Sequence, residues 1–126
     1  MHRMKSSDIV VTGVGAVSPL GNDLPSTWAA IIAGQSGVAP ITRFDPTGYE
    51  TTFAAEVKDF DAAERLGRKD ARRTDRYTHY AVAAALEALE ASGLTIDETN
   101  AERVGVLIGS GMGGAETLDA GMETVL

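Results

Sequence analysis

The amino-acid sequence predicts an α/β protein, and three observations lead there. Two short apolar runs, Ile9 to Thr12 and Val104 to Ile108, are rich in β-branched residues and stop on or beside glycine. That is the pattern of strands buried on both faces, not of half-exposed alternating ones. Between them a long segment opening at Thr74 or Asp75 and closing near Ser92 carries apolar residues at helical spacing. Glycines follow each apolar run, as they do where a strand turns sharply into the next element.

In chain order, the run at Ile9 ends at Gly13, and Gly13, Gly15, Pro19 and Gly21 punctuate a loop. Asp23 has the chemistry of a helix cap, Pro25 suits the first turn, and the helix runs through Trp28 and Ile31 to about Ala33, with Gly34 as terminator. "GQSGVAP" reads as a connecting loop. From Arg43 to Gly67 the pattern is mixed: "FDPTGY" is turn-rich, "TTFAAEV" suits an edge strand, and "DFDAAERL" a short helix capped by Asp59 or Asp61. The long helix follows, with Gly93 just past its end. Tyr77, Ala81, Ala84, Ala88 and Ala91 share one stripe, broadened by Val82, Leu86 and Leu89. Small alanines in a stripe permit close backbone approach, so this helix is expected to lie buried between layers. "TIDETNAER" is a polar linker with the makings of a short helical turn, leading into the second expected strand.

The bulk numbers bound the function classes. A chain of 126 residues with 44% hydrophobic and 23% charged content has the composition of a folded α/β protein of one domain or part of one. Its net charge of −7 disfavours a general nucleic-acid binder, whose phosphate contacts need a basic surface. It has no cysteine, which excludes disulfides, zinc–cysteine sites and a cysteine nucleophile within these residues. No metal site is expected. No run approaches membrane-spanning length, and the start lacks the apolar core of a signal peptide, so a cytoplasmic protein that does not engage a membrane is expected.

"VLIGSGMGG", residues 106 to 114, contains Gly109, Gly111 and Gly114 in the spacing of a dinucleotide-binding turn. Such a site also needs an acidic residue about 20 positions further on, beyond the end of this sequence. The N-terminal "VVTGVGAVSPLG" approaches the glycine turn of short-chain reductases, but Val17 and Pro19 occupy positions where that turn needs glycine. A dinucleotide loop and a tight turn admitting another backbone are both compatible with the glycines; neither accounts for Met112, a flexible thioether among them.

Taken together, "VVTGVGAVSPLGN", "STW", "AGQSGV", "FD", "KDFD", "RKDARRTD" and "IGSGMGG" stand in the order and spacing of the N-terminal part of a β-ketoacyl-acyl-carrier-protein synthase, most like the type II elongating ketosynthases. The chain resembles that family from about Ile9 to Gly114. The resemblance implies a thiolase-like fold, of which residues 1–126 would be an incomplete N-terminal half, a layered sheet and buried helix truncated before the catalytic cysteine region. It implies an acyltransferase of fatty acid biosynthesis: an acyl chain held as a thioester on cysteine is joined to the carbanion left by decarboxylation of malonyl-acyl-carrier protein. The family's cysteine and two histidines lie downstream of the matched region, so no catalytic residue is expected in this chain, and these residues alone are expected to be inactive. His2 and His79 do not match those positions. The loop from Gly109 to Gly114 is implied to border the acyl pocket, with Met112 as its gate and Gly111 and Gly113 admitting the apolar tail. No resident cofactor is implied, since phosphopantetheine arrives on the carrier protein, and a homodimer is implied for the complete enzyme. The alternatives are a non-catalytic chain-length partner subunit, which shares the fold but lacks the cysteine, and a dinucleotide-binding domain.

Arg65, Arg68, Lys69, Arg72, Arg73 and Arg76 are six of eleven cations, gathered within twelve residues. By itself the run describes a solvated helix face with local ion pairs to Asp70 and Asp75. On an acidic chain it also describes a patch that steers an acidic partner. The resemblance implies that Lys69, Arg72 and Arg73, with Arg68 beside them, dock the acyl carrier protein.

Overall fold

The computed structural model of the chain describes residues 9–125. After an extended, glycine-punctuated segment come α1 (Leu24–Ile32), β1 (Ala39–Pro40), β2 (Phe53–Ala54), α2 (Ala62–Leu66), α3 (Arg68–Ala71), α4 (Arg76–Ser92), a 3-10 turn (Ala101–Arg103) and α5 (Ala115–Val125).

The helices begin and end where local chemistry requires. Asp23 caps α1, its carboxylate accepting from the Ser26 N–H (2.7 Å) and hydroxyl (2.5 Å), and Pro25 occupies the first turn, where its missing N–H is no loss. Gly34, at φ 66°, closes the helix. Asp61, not Asp59, caps α2 by accepting from the Ala63 and Glu64 N–H groups at 2.7 and 3.1 Å. Asp59 instead adopts φ 52°, and the Asn22 side-chain amide holds that turn by donating to the carbonyls of Lys58 and Asp59. α4 covers the expected span and ends on Gly93 in the left-handed conformation. The linker's helical turn is present at Ala101–Arg103.

The sheet departs from expectation. Its two strands are two residues each, antiparallel, pairing Ala39 with Ala54 and Pro40 with Phe53. "TTFAAEV" supplies one of them, as expected, but the other comes from the end of "GQSGVAP", whose glycines and proline suggest only a loop. Neither Ile9–Thr12 nor Val104–Ile108 is in a strand, and neither is buried: Ile9 is 99% exposed and Leu107 98%. A strand exists only through its ladder, and among the described residues neither run has a neighbouring strand. The chain accordingly exposes 10342 Å², whereas a compact monomer of this mass exposes about 6,400 Å².

What core there is lies where the glycine segment, α1 and α4 meet, and its buried residues are Thr27, Ala30 and Ala83. The alanine stripe does admit a backbone. A side-chain carbon on Gly13 would overlap the Ala88 carbonyl oxygen, and one on Gly15 would overlap that of Ala84. Glycine is therefore required at 13 and 15, where the helix presents its own backbone and the Cβ atoms of Ser92 and Glu87. The expectation of a helix buried between two layers is corrected, however: α4 is covered along one side, with Ala83 buried and Ala84 and Ala88 half-buried, while Tyr77, Leu86 and Ala91 are exposed. The layer that would cover the second side is not formed by the described residues.

One side chain braces this contact. Glu87, half-buried on α4, accepts from the Ala16 N–H (2.8 Å) through one oxygen and from the Leu24 N–H (2.7 Å) through the other. The first ties down the glycine segment and the second satisfies an unpaired donor in the first turn of α1. Elsewhere on α4, Tyr80 meets Phe60 edge to face at 5.1 Å, anchoring the start of α2 to that helix.

Removing this brace is expected to lower stability. Glu87→Gln keeps one acceptor and turns an amide N–H toward a donor, at a cost of about 1–2 kcal/mol, and Glu87→Ala leaves both donors unmatched at about 2–3 kcal/mol. Urea midpoints measure both, and an Ala variant unfolding at the wild-type midpoint would remove the brace from the account. The α1 cap should also be acid-sensitive. The Ser26 hydroxyl, then the Ser26 N–H, holds the Asp23 carboxyl below its ordinary value of 3.8. Its stabilisation is therefore complete above that value and is lost as pH falls through the depressed one. The stability difference between wild type and Asp23→Ala should be largest near neutrality and close in acid; a pH-independent difference would contradict the cap.

Candidate functional site

The glycine loop arrives along the extended residues 104–108 and bends at residues 111–113. Gly113 takes φ 69°, a conformation that favours glycine, and its N–H donates to the Ser110 hydroxyl at 2.9 Å. α5 opens directly afterwards, with Leu118 N–H donating to the Gly114 carbonyl. Met112 stands at the tip of the bend, 75% exposed. It lines an open cavity of about 600 Å³ together with the apolar Phe44, Leu118 and Met122 and the charged Arg43, Glu116 and Asp119. Leu118 and Met122, four residues apart, face the cavity from one stripe of α5. A carbon added at Gly109 or Gly111 would meet open space, so these two glycines keep the loop thin without a close neighbour among the described residues.

The first turn of α5 is held by charged and polar side chains from elsewhere. Asp75 lies at the cap position of α4, yet its side chain makes no capping bond there. Its carboxylate instead accepts from the Thr117 hydroxyl at 2.5 Å and lies against Gly114, where a side-chain carbon would displace it. Next to it, Arg76 Nε donates to Glu116 Oε1 at 3.1 Å. Glu116 also faces Arg43 at 3.6 Å, and Arg43 reaches Glu56 at 4.0 Å and the Tyr80 hydroxyl at 3.3 Å. The Thr42 hydroxyl, bonded to Glu56 at 2.7 Å, is the main reason the Glu56 carboxyl is held below its ordinary value. Glu56 is thereby kept ionised opposite Arg43. None of these partnerships has a signal in the sequence, because the Asp75–Thr117 and Arg76–Glu116 pairs join residues 42 and 40 positions apart.

A dinucleotide reading of the loop fails on this geometry. No strand precedes the glycines among the described residues, and the α5 N-terminus, where a pyrophosphate would sit, already faces the Asp75 carboxylate. Two anions at one helix end repel each other.

Every cation of the basic island is exposed. Arg65 lies in the last turn of α2, Arg68 and Lys69 lie on α3, and Arg72 and Arg73 follow in the turn toward Arg76. Arg72 Nε donates to the Arg68 carbonyl, and the Thr74 hydroxyl to that of Asp70, so the turn is braced by its own hydrogen bonds. The local ion pairs expected from the run alone are absent: among the described residues, no carboxylate lies within 4.0 Å of the cationic groups of Arg65, Arg68, Lys69, Arg72 or Arg73. The one island cation that is paired among the described residues, Arg76, pairs with Glu116 on α5 and not with Asp70 or Asp75. Asp75 and Arg76, just past the docking candidates in the chain, thus tie that segment to the end of the Met112 loop.

His79 is half-buried, and its Nε2 donates to the Ala71 carbonyl at 3.1 Å, fixing the end of α3 against α4. That is a packing role. His2 lies outside the described residues. With no cysteine in the chain, no thiol here can hold an acyl thioester.

The chain is 50% identical over 123 residues to the 3-oxoacyl-[acyl-carrier-protein] synthase 2 of Vibrio harveyi, covering 98% of this chain and 30% of that protein. It is also 50% identical over 123 residues to the protein of the same name from Coxiella burnetii, again 98% of this chain and 30% of the relative. The chain therefore spans about 30% of the length of these relatives. Among solved structures, the ishigamide ketosynthase/chain length factor superposes with a TM-score of 0.71 at 32% identity, over 90% of this chain and 28% of the other, which gives the chain the thiolase-like ketosynthase fold. No helix of the described residues is long and apolar enough to cross a membrane. Residues 6–125 match the beta-ketoacyl synthase N-terminal domain, and the chain belongs to that family.

Proposed function

We propose that residues 1–126 form the N-terminal part of an elongating β-ketoacyl-acyl-carrier-protein synthase of fatty acid biosynthesis, and that they contribute carrier-protein docking and an acyl gate rather than the reacting groups. The observation that carries this reading is a juxtaposition. On a chain of net charge −7, an exposed basic segment whose Lys69, Arg72 and Arg73 have no ion-pair partner among the described residues is joined, through the Asp75 and Arg76 that follow it, to the end of a glycine loop whose Met112 borders an apolar cavity. A fatty-acyl thioester delivered by an acidic carrier needs both features, a positive surface for the carrier and an apolar channel for the tail. Lys69, Arg72 and Arg73, with Arg68 beside them, meet the carrier. Met112 swings at the mouth of the acyl channel, with Gly111 and Gly113 leaving room for the tail. The phosphopantetheine arm comes with the carrier, so the synthase needs no resident cofactor, and it works as a cytoplasmic homodimer. The nucleophilic cysteine and the two histidines belong to the part of the enzyme outside these residues.

A second reading is favoured by the structural neighbour, a ketosynthase paired with a chain length factor. In that reading the same surfaces serve a partner subunit without the nucleophile. The discriminating observation is a cysteine at a strand-to-helix turn in the remainder of the polypeptide.

In the complete synthase, converting Lys69, Arg72 and Arg73 together to Glu should weaken carrier-protein binding and flatten its salt dependence, because exposed charges act within about 8 Å at physiological salt. Each single reversal should weaken binding about fivefold or less, and turnover of a carrier-free thioester should persist. Unchanged affinity and salt slope in the triple variant would refute the docking surface. For the gate, each buried methylene of an acyl tail contributes roughly 0.8 kcal/mol. Met112→Phe or Met112→Trp should therefore penalise long primers progressively and spare the shortest, while Met112→Ala retains long ones. Acylation rates across a primer series decide this, and an equal proportional loss at every length would take Met112 out of the substrate path.

A further inference from the structure

The gate loop has two ends, and they are held differently. Its upstream arm, residues 104–108, is extended, and Val106 and Leu107 are 83% and 98% exposed. Its downstream end runs into α5, which packs no extended face against another helix or strand among the described residues. The position of that end is set by the side-chain contacts at the first turn of α5: Asp75 to Thr117, Arg76 to Glu116, and Arg43 to Glu116. Two come from adjacent residues, where the turn after α3 enters α4. Asp75 contributes no side-chain bond to capping its own helix, although the cap position is where an aspartate normally serves the helix that follows. Its carboxylate is committed to α5.

We infer that Asp75 and Thr117 are positioning residues for the acyl gate: their hydrogen bond pins the downstream end of the Gly109–Gly114 loop, and so sets how far Met112 can move. The inference rests on the proposed gating role of Met112 and extends it to residues that touch no acyl chain. Thr117 lies three residues past Gly114 and five past Met112, so loosening it frees the hinge without altering the cavity's apolar wall of Phe44, Leu118 and Met122. Arg76–Glu116 is a second, longer tie at the same turn, 3.1 Å against 2.5 Å for Asp75–Thr117, and both are exposed. The pinned turn also carries Arg72 and Arg73, so the gate's hinge and the cationic surface share one short segment.

The test uses the complete synthase and acyl primers of increasing length, reading the ratio of kcat/KM for short over long primers and, separately, affinity for the carrier protein. Thr117→Val removes the hydroxyl donor while keeping the shape, and Asp75→Ala removes its acceptor. Both should shift the chain-length ratio about fivefold, and the double variant should shift it no further than either single one, as expected for two halves of one interaction. Thr117→Ser, which retains the hydroxyl, should restore the wild-type ratio, and carrier affinity should stay within about twofold throughout. Loss of activity that is equal at all lengths, or a Thr117→Ser variant that behaves like Thr117→Val, overturns the positioning role. If Met112→Phe biases chain length and Thr117→Val does not, the gate stands and this inference falls. If Met112→Phe shows no bias, the gate itself falls and takes the inference with it.

Discussion

The contact on which the described structure most depends is the brace made by Glu87. Gly13 and Gly15 can lie against α4 only because they carry no side chain to strike the Ala88 and Ala84 carbonyls, but closeness alone does not fix register. The Glu87 carboxylate fixes it, with one oxygen on the Ala16 N–H and the other on the first turn of α1. A charged acceptor serving two backbone donors in a half-buried place is worth more than two neutral hydrogen bonds, because each donor would otherwise lose its water without a partner. Remove it, and the glycine segment, α1 and α4 keep only a handful of small buried side chains in common.

A second carboxylate does comparable work at the other end of α4. Asp75 and Arg76 reach across to α5, so that among the described residues the helix after the glycine loop is held by polar ties and not by a packed face. This division is what the proposed gate requires. Apolar packing is short-ranged and all-or-none, whereas a few side-chain bonds let a loop be held in one place and released at modest cost. The same arrangement leaves the island around Lys69 without local neutralisation: one neighbouring acid, Asp75, is turned toward Thr117, and Asp70 stands beyond ion-pair distance of every cation among the described residues. An acidic chain thereby keeps one surface positive.

How much was legible in the residues varies by element. α1, α2 and the end of α4 follow from short-range chemistry: a capping aspartate ahead of α1 and α2, proline in the first turn of α1, and glycine past the end of all three. The choice of Asp61 over Asp59 as a cap was open in the sequence, and was decided by Asn22, which holds the Asp59 turn from 37 residues away. Ile9–Thr12 and Val104–Ile108 have the composition of buried strands, yet composition expresses only willingness to join a sheet; among the described residues no ladder partner is present. The strand at Ala39–Pro40 has no local signature for the converse reason, since its pairing with Phe53–Ala54 comes from register and not from propensity.

By itself the sequence determined α1, α2 and α4 with the glycines that end them, the gathering of cations at residues 65–76, the glycine loop carrying Met112, the lack of a nucleophilic cysteine in these residues, and through its motifs the ketosynthase family, but not α3 or α5. Each of these is written in neighbouring residues or in fixed spacings. Only the tertiary structure decided that Glu87 is the brace, that Asp75 serves α5 instead of its own helix, and that Met112 borders an apolar cavity with Phe44, Leu118 and Met122. It also decided that Arg76 is paired while, among the described residues, Lys69, Arg72 and Arg73 are not. Those facts depend on which side chains meet across 40 to 71 positions of chain. A charge or a hydroxyl in a sequence states what it can bond to; the fold states what it reaches.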